Sequence, residues 1–212
     1  MPSCQCQGIE SVFDQAEADR KLAEYRRKGP AATTRLLVEA LRAAGVEGRT
    51  LLDIGGGVGA LQWALLAAGA RTAVSVDASS AHLATARREA QRLGLGQRVD
   101  YRLGDFVTLA GEVPAADIVT LDRVVCCYDD MPALVRLSAQ HAQQLYGLVY
   151  PRDAGWIRFG VRVANGFQRL TRSAFRMFVH PTAAVEALLR ENGLRRAYYR
   201  RSGLWQVVVY AR

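Results

Sequence analysis

The chain has 212 residues, with 28 basic and 20 acidic side chains, a formal charge of +8, and hydrophobic residues at half of its positions. That length suffices for one substantial core, and the composition excludes a disordered chain. The longest apolar stretches, such as Trp63-Ala64-Leu65-Leu66-Ala67-Ala68, fall far short of the roughly 20 residues that span a bilayer.

Met1-Pro2-Ser3-Cys4 lacks the basic start and apolar run of a secretory leader, so the sequence predicts a cytoplasmic protein. Lys21 and Lys28 are the only lysines. A bias toward alanine and arginine accounts for the charge without a nucleic-acid partner, although the surface field favours anions. Spaced apolar positions over 9–28 (Val12, Phe13, Ala16, Leu22, Tyr25) predict an amphipathic helix ending near Gly29-Pro30, and a second helix is expected over 33–44. Strands at 50–54, 73–76, 98–103, 116–121 and 145–150 then alternate with helices near 58–68, 80–93 and 131–143. Helices at 155–170 and 181–192 follow, and strands near 194–201 and 204–211 flank Ser202-Gly203 as an antiparallel hairpin. The pattern predicts one α/β domain over 1–212. Its doubly wound, seven-stranded, mostly parallel sheet ends in an antiparallel hairpin, and residues 1–46 form a helical extension.

The most informative segment is Leu51-Leu52-Asp53-Ile54-Gly55-Gly56-Gly57-Val58-Gly59. A buried strand stops at a glycine turn and feeds a helix, which brings backbone N–H groups and a dipole to one small site. Two readings share these glycines. Gly55, Gly57 and Ala60 satisfy the loose dinucleotide fingerprint, with Asp77 as the ribose acid of an NAD-binding oxidoreductase. Read as Asp53-x-Gly55-x-Gly57-x-Gly59, the segment resembles the first motif of class I S-adenosylmethionine (SAM) methyltransferases. Asp53 favours the second reading, because a carboxylate repels a pyrophosphate and attracts a cation.

The same resemblance implies further roles at matching strand ends. Asp77, with Ala78 after it, accepts from the ribose hydroxyls, and Ser79-Ser80 is an alternative use for that acid as a helix start. Asp105 and Phe106 meet the adenine. Asp122 lies beside the methionine part. Together with Asp53, Gly55, Gly56, Gly57 and Gly59 these form the expected cofactor site.

Thr120-Leu121-Asp122-Arg123-Val124-Val125-Cys126-Cys127-Tyr128, the N-terminal helices and Tyr146-Gly147-Leu148-Val149-Tyr150-Pro151 are similar to the magnesium-protoporphyrin O-methyltransferase group. That resemblance implies methyl transfer from SAM to a small acidic or phenolic acceptor, at oxygen, including a porphyrin-type carboxylate, beneath a substrate cap at 152–192. The group carries a histidine about where Cys127 stands, and an aromatic hydroxyl that Tyr25 can supply. Tyr128 and His180 are the other candidates for a catalytic group.

Arg158, Arg162, Arg169, Arg172 and Arg176 recur at helical spacing, apart from Trp156, Phe159, Val163, Phe167 and Leu170. Arg158 and Arg162 are candidates to clamp an anionic substrate. A solvated surface and peripheral contact with an anionic membrane are the other readings of that face. His82 reads as structural or exposed, and His141 lies near a helix end, where a cation is favoured. Cys4-x-Cys6 and Cys126-Cys127 match no zinc spacing, so free thiols and no metal are expected. A SAM-binding sensor or partner subunit without catalysis remains an alternative, as does a nucleic-acid methyltransferase, although the fourth motif lacks an Asn-Pro-Pro-aromatic run.

Overall fold

A computed structural model describes residue 10, residues 12–170 and residues 175–212. Cys4, Cys6 and Arg172 lie outside them. The helix expected from residue 9 is α1, Gln15–Lys28. It starts there because Asp14 is extended and its carboxylate accepts from Glu17 N at 2.9 Å. Helix α2 (Ala32–Ala43) follows.

Next come β1 (Thr50–Ile54), α3 (Ala60–Ala67), β2 (Thr72–Asp77), α4 (Ser80–Arg92), β3 (Val99–Leu103), a short α5 (Phe106–Leu109) and β4 (Ala116–Asp122). The chain then runs through α6 (Met131–His141), β5 (Ala142–Pro151), α7 (Gly155–Leu170), α8 (Thr182–Glu191), β6 (Arg195–Ser202) and β7 (Trp205–Ala211). The hairpin turn is Gly203-Leu204, one residue later than the expected Ser202-Gly203, with Gly203 left-handed at φ 57°.

The seven strands lie in the order β3-β2-β1-β4-β5-β7-β6, parallel from β3 through β5 and antiparallel in the last two pairings. Apolar side chains are buried on both faces, as a sheet covered by helices on both sides requires. Leu52 and Ile54 of β1 face α6 and α8, packing with Leu134, Val185 and Leu189. Leu51 points the other way, toward Leu37 and Leu41 of α2 and Leu65 of α3.

Helix α1 is fastened to α4 by Glu89. Its fully buried side chain meets Arg26 at 2.6 Å and Arg92 at 2.7 Å, and these guanidinium groups hold the carboxyl down at about 2. At the amino-terminal end of the sheet, Asp117 accepts from Thr50 N and Oγ1, both at 2.8 Å, and from Gln144 Nε2 at 2.8 Å. That carboxylate sits at the β4–β5 irregularity and ties β1, β4 and β5 together. Strand order reverses at β1, between β2 and β4, so a crevice opens beyond the carboxyl ends of β1, β2 and β4. Among the described residues, no helix is long and apolar enough to cross a membrane.

Candidate active site

The crevice is a cleft of about 480 Å³. Asp53 sits at its floor, only 1% exposed. Thr120 Oγ1 donates to its Oδ1 at 2.8 Å, while Oδ2 is buried and has no partner among the described residues. Burial pushes this carboxyl up to about 7, against the pull of Thr120 and with help from the charges of Asp122 and Asp77. A buried acid with one bare oxygen is a poor neighbour for a phosphate and a ready one for a cation.

The glycines let the main chain approach that oxygen. A Cβ on Gly56 would stand 2.5 Å from Asp53 Oδ2 and 3.1 Å from Ser75 Oγ, so no side chain fits. Gly55 is left-handed at φ 63°, and a Cβ there would meet Val124 Cγ2 at 2.4 Å. Gly57 donates its N–H to Asp77 Oδ2 at 2.8 Å. Gly59 is the left-handed residue that starts α3.

Asp77 ends β2 and holds the turn to the next helix. Its Oδ1 accepts from Ser79 N at 2.8 Å. The cap of α4 is Ser79 itself, whose hydroxyl accepts from His82 N at 3.1 Å, so Asp77 serves the helix start by holding the cap's backbone. Ala78 lines the cleft beside it. His82 also lines the cleft, although the sequence marks it as structural or exposed. It is 4% exposed, Nε2 has no partner among the described residues, and burial pushes the imidazole below its ordinary value despite Asp77.

Asp105 and Phe106 lie on the cleft wall. Asp105 caps α5 through Val107 N at 3.1 Å and accepts from Tyr128 Oη at 3.0 and 2.9 Å. Phe106 is 3% exposed and packs edge-on against His141 at 5.4 Å, so its ring belongs to the core more than to the cavity. Tyr128 is thus engaged at the Asp105 end. Tyr25 packs on Trp63 at 5.0 Å, away from the cleft lining. His180 Nε2 bonds to Tyr128 O at 2.9 Å, and its ring stacks on Phe178, also outside the lining.

Asp122 is tied to the N-terminal helices by the Thr34 hydroxyl, and Arg123 Nε donates to it at 3.1 Å. Arg123 has φ 63°, a left-handed conformation that costs a side-chain-bearing residue energy and commonly marks function. Among the described residues, Arg123 and Lys21 are the lysine and arginine side chains on the cleft wall. Arg158 and Arg162 are exposed on α7 and do not line it, and Arg158 is paired with Asp153. Cys126 and Cys127 lie on the wall, their sulfurs in contact at 3.8 Å.

Two further walls were not legible from local pattern. Phe13 stands over His82 at 5.4 Å and meets Phe175 edge-on at 5.7 Å. Ser79 Oγ donates to Phe13 O at 2.6 Å, fixing that segment to the ligand end of the sheet. Asn165 of α7 holds Met177 by two bonds, at 2.7 and 2.9 Å, which fixes the 175–177 segment whose Phe175 and Met177 line the cleft.

Residues 51–144 match the family model described as a methyltransferase domain, a span that covers the glycine turn, Asp77, Asp105 and Asp122. That segment is a methyltransferase domain, on a class I methyltransferase fold. The chain's fold is that of the magnesium protoporphyrin IX methyltransferase from Synechocystis PCC 6803 crystallised with SAH, at 19% identity, over 98% of this chain and 99% of that one, with a TM-score of 0.75. An O-methyltransferase family protein from Burkholderia thailandensis aligns at 20% identity over 85% of this chain and 57% of that one, TM-score 0.66. The mitomycin 7-O-methyltransferase MmcR aligns at 21% identity over 92% and 58%, TM-score 0.62. No curated protein matches the methyltransferase in sequence.

Proposed function

We propose that this enzyme transfers a methyl group from SAM to oxygen of a small anionic acceptor, with a carboxylate, including a porphyrin-type one, as the acceptor that suits the cleft best. The bare, buried Asp53 Oδ2 facing the glycine turn carries the donor assignment, because it gives a cation a counter-charge where a diphosphate finds none. When bound, SAM supplies a methyl group on positive sulfur, which leaves as a neutral thioether. Asp53 and Gly55–Gly57 receive its methionine end, Asp77 its ribose and Asp105 its adenine. Each Asp77 oxygen holds one backbone N–H and keeps a lone-pair direction for a ribose hydroxyl. Asp105 meets the adenine amine once the Tyr128 hydroxyl yields that position.

Lys21 and Arg123 face the acceptor, and the N-terminal extension and the 152–192 segment bring Phe13, Phe175 and Met177 over it. A carboxylate arrives already ionised, so the protein's task is to align it with the donor, and no proton need be moved. The engagement of Tyr128 by Asp105 and the placement of His180 and Tyr25 outside the cleft support such an acceptor over a protonated phenol. Methyl transfer from labelled SAM to a panel of carboxylic acids and phenols tests this. Esters among the acids are expected, and labelled ethers alone would overturn the carboxylate reading.

Donor affinity should depend on pH through Asp53. The ionised carboxylate attracts the cation, and this group protonates as pH falls through about 7. The dissociation constant for SAM should therefore rise toward tenfold per pH unit below that point and level off above it. Calorimetry between pH 5.5 and 8.5 checks it, and a flat profile would exclude Asp53 as the counter-charge.

Arg123 offers a second test. R123G relieves the left-handed strain, so the melting temperature should rise by the equivalent of about 1 kcal/mol. The acceptor KM should rise about tenfold through the lost cation, with SAM affinity within twofold of wild type. An unchanged KM would remove Arg123 from acceptor recognition.

A further inference from the structure

Helix α7 is amphipathic in an unusual sense, because its apolar side is the one turned outward. Trp156, Phe159, Val163, Phe167 and Leu170 follow one another at spacings of three, four, four and three residues, and they are 60%, 68%, 58%, 68% and 82% exposed. One straight stripe along the helix results. Ile157, buried, and Asn165, bonded to Met177, are the contacts that seat the helix on the protein, and they lie on the opposite side. No α7 residue lines the cleft, so the stripe does not face the reacting groups.

The charged side chains of α7 itself are all of one sign, with Asp153 just before the helix pairing with Arg158. The α7 sequence, GWIRFGVRVANGFQRL, contains three arginines and no acid. Arg158, Arg162 and Arg169 are exposed, displaced around the helix from the stripe. The hairpin turn adjoins the start of the helix, since Arg152 N donates to Leu204 O at 2.8 Å. Leu204 is itself exposed, and Arg200 and Arg201 stand just before that turn, also exposed.

We propose that the outward face of α7, with the adjoining hairpin turn, docks on the surface of a bilayer rich in anionic phospholipid. The helix lies in the interfacial plane, its aromatic and aliphatic stripe entering the acyl boundary while the arginines meet the headgroup phosphates. A second copy of this chain is a poorer occupant. A two-fold contact through the stripe would bring two sets of arginines toward each other with no acid from either α7 to offset them.

Co-sedimentation with vesicles tests the proposal on the full chain. Binding is expected to vesicles of phosphatidylcholine with about 30% phosphatidylglycerol, and to be weak on phosphatidylcholine alone. Trp156 should report entry by a blue shift of emission, although Trp63 and Trp205 contribute a constant background. The double variant F159E/V163E should lose at least tenfold in partition while keeping its melting temperature and SAM affinity, because both positions are exposed and distant from the donor site. R162Q/R169Q should lose roughly 30-fold at low salt, and the loss should shrink as salt screens the wild type. Absence of wild-type binding, equal binding to both vesicle types, or full binding by F159E/V163E would each overturn it. So would a concentration-dependent dimer that F159E/V163E abolishes without any vesicle binding by the wild type, which would assign the face to a second copy.

Discussion

D53N should weaken SAM binding about 100-fold while making the ligand-free protein more stable. The first effect follows from removing the counter-charge at the glycine turn, where a buried, specific charge partner contributes about 2–5 kcal/mol. The second follows from the same burial. In the wild type the carboxyl titrates near 7 in the folded protein against an ordinary value of 3.8, so the native state holds its proton more tightly than the unfolded chain does. Stability tied to this group is fully present below pH 4 and is lost as pH rises to about 7. Asparagine carries no such penalty. The variant's advantage should build across that window and reach about 4 kcal/mol at pH 8. Urea unfolding at pH 4.5 and pH 8 with calorimetry of SAM binding measures both. A variant that binds SAM as the wild type does, or that is less stable at pH 8, would contradict the assignment of Asp53.

G55A should cost about 3 kcal/mol, by two separable routes. The left-handed φ of 63° strains any residue with a Cβ by about 1–2 kcal/mol. The new methyl would also meet Val124 at 2.4 and 3.1 Å, an overpacking that costs a further 1–3 kcal/mol or so. Because the clash is with a side chain, adding V124A should remove it and leave the backbone term. G55A/V124A should therefore recover about half of the loss, relative to V124A alone, in a denaturant titration. Full additivity would show that Val124 does not take the contact, and complete recovery would show that the φ angle carries no strain.

Local chemistry made the centre of the molecule legible. The apolar run over 51–54, the acid within it and the glycines after it specify a strand, a charge and a close backbone approach from neighbouring residues, and the sheet formed as the alternation predicted. The rest of the cleft is non-local. Phe13 reaches His82 across 69 positions, Thr34 reaches Asp122 across 88, and no periodicity encodes such pairs. His82 was legible as a helix residue, but its place on the cleft depends on where Gly57 puts the turn. The α7 arginines show a different limit. Their spacing separates one side of the helix from another, but Ile157 and Asn165 decide which side meets the protein. Tyr128 stands next to the fourth motif in sequence, and its hydroxyl spans a gap to Asp105 that only the folded loop defines.

The Asp117 knot has a consequence for how this scaffold tolerates change. It joins three central strands at the amino-terminal end of the sheet, away from Asp53, and does so with hydrogen bonds from Thr50 and Gln144 that involve no cleft residue. Anchorage and reactivity are thus sited at opposite poles of the same strands. Recombination that exchanges the crossover loops above β1, β4 and β5 for those of another family member should preserve a folded barrel-less sheet, provided these three lower side chains travel together as one inherited unit.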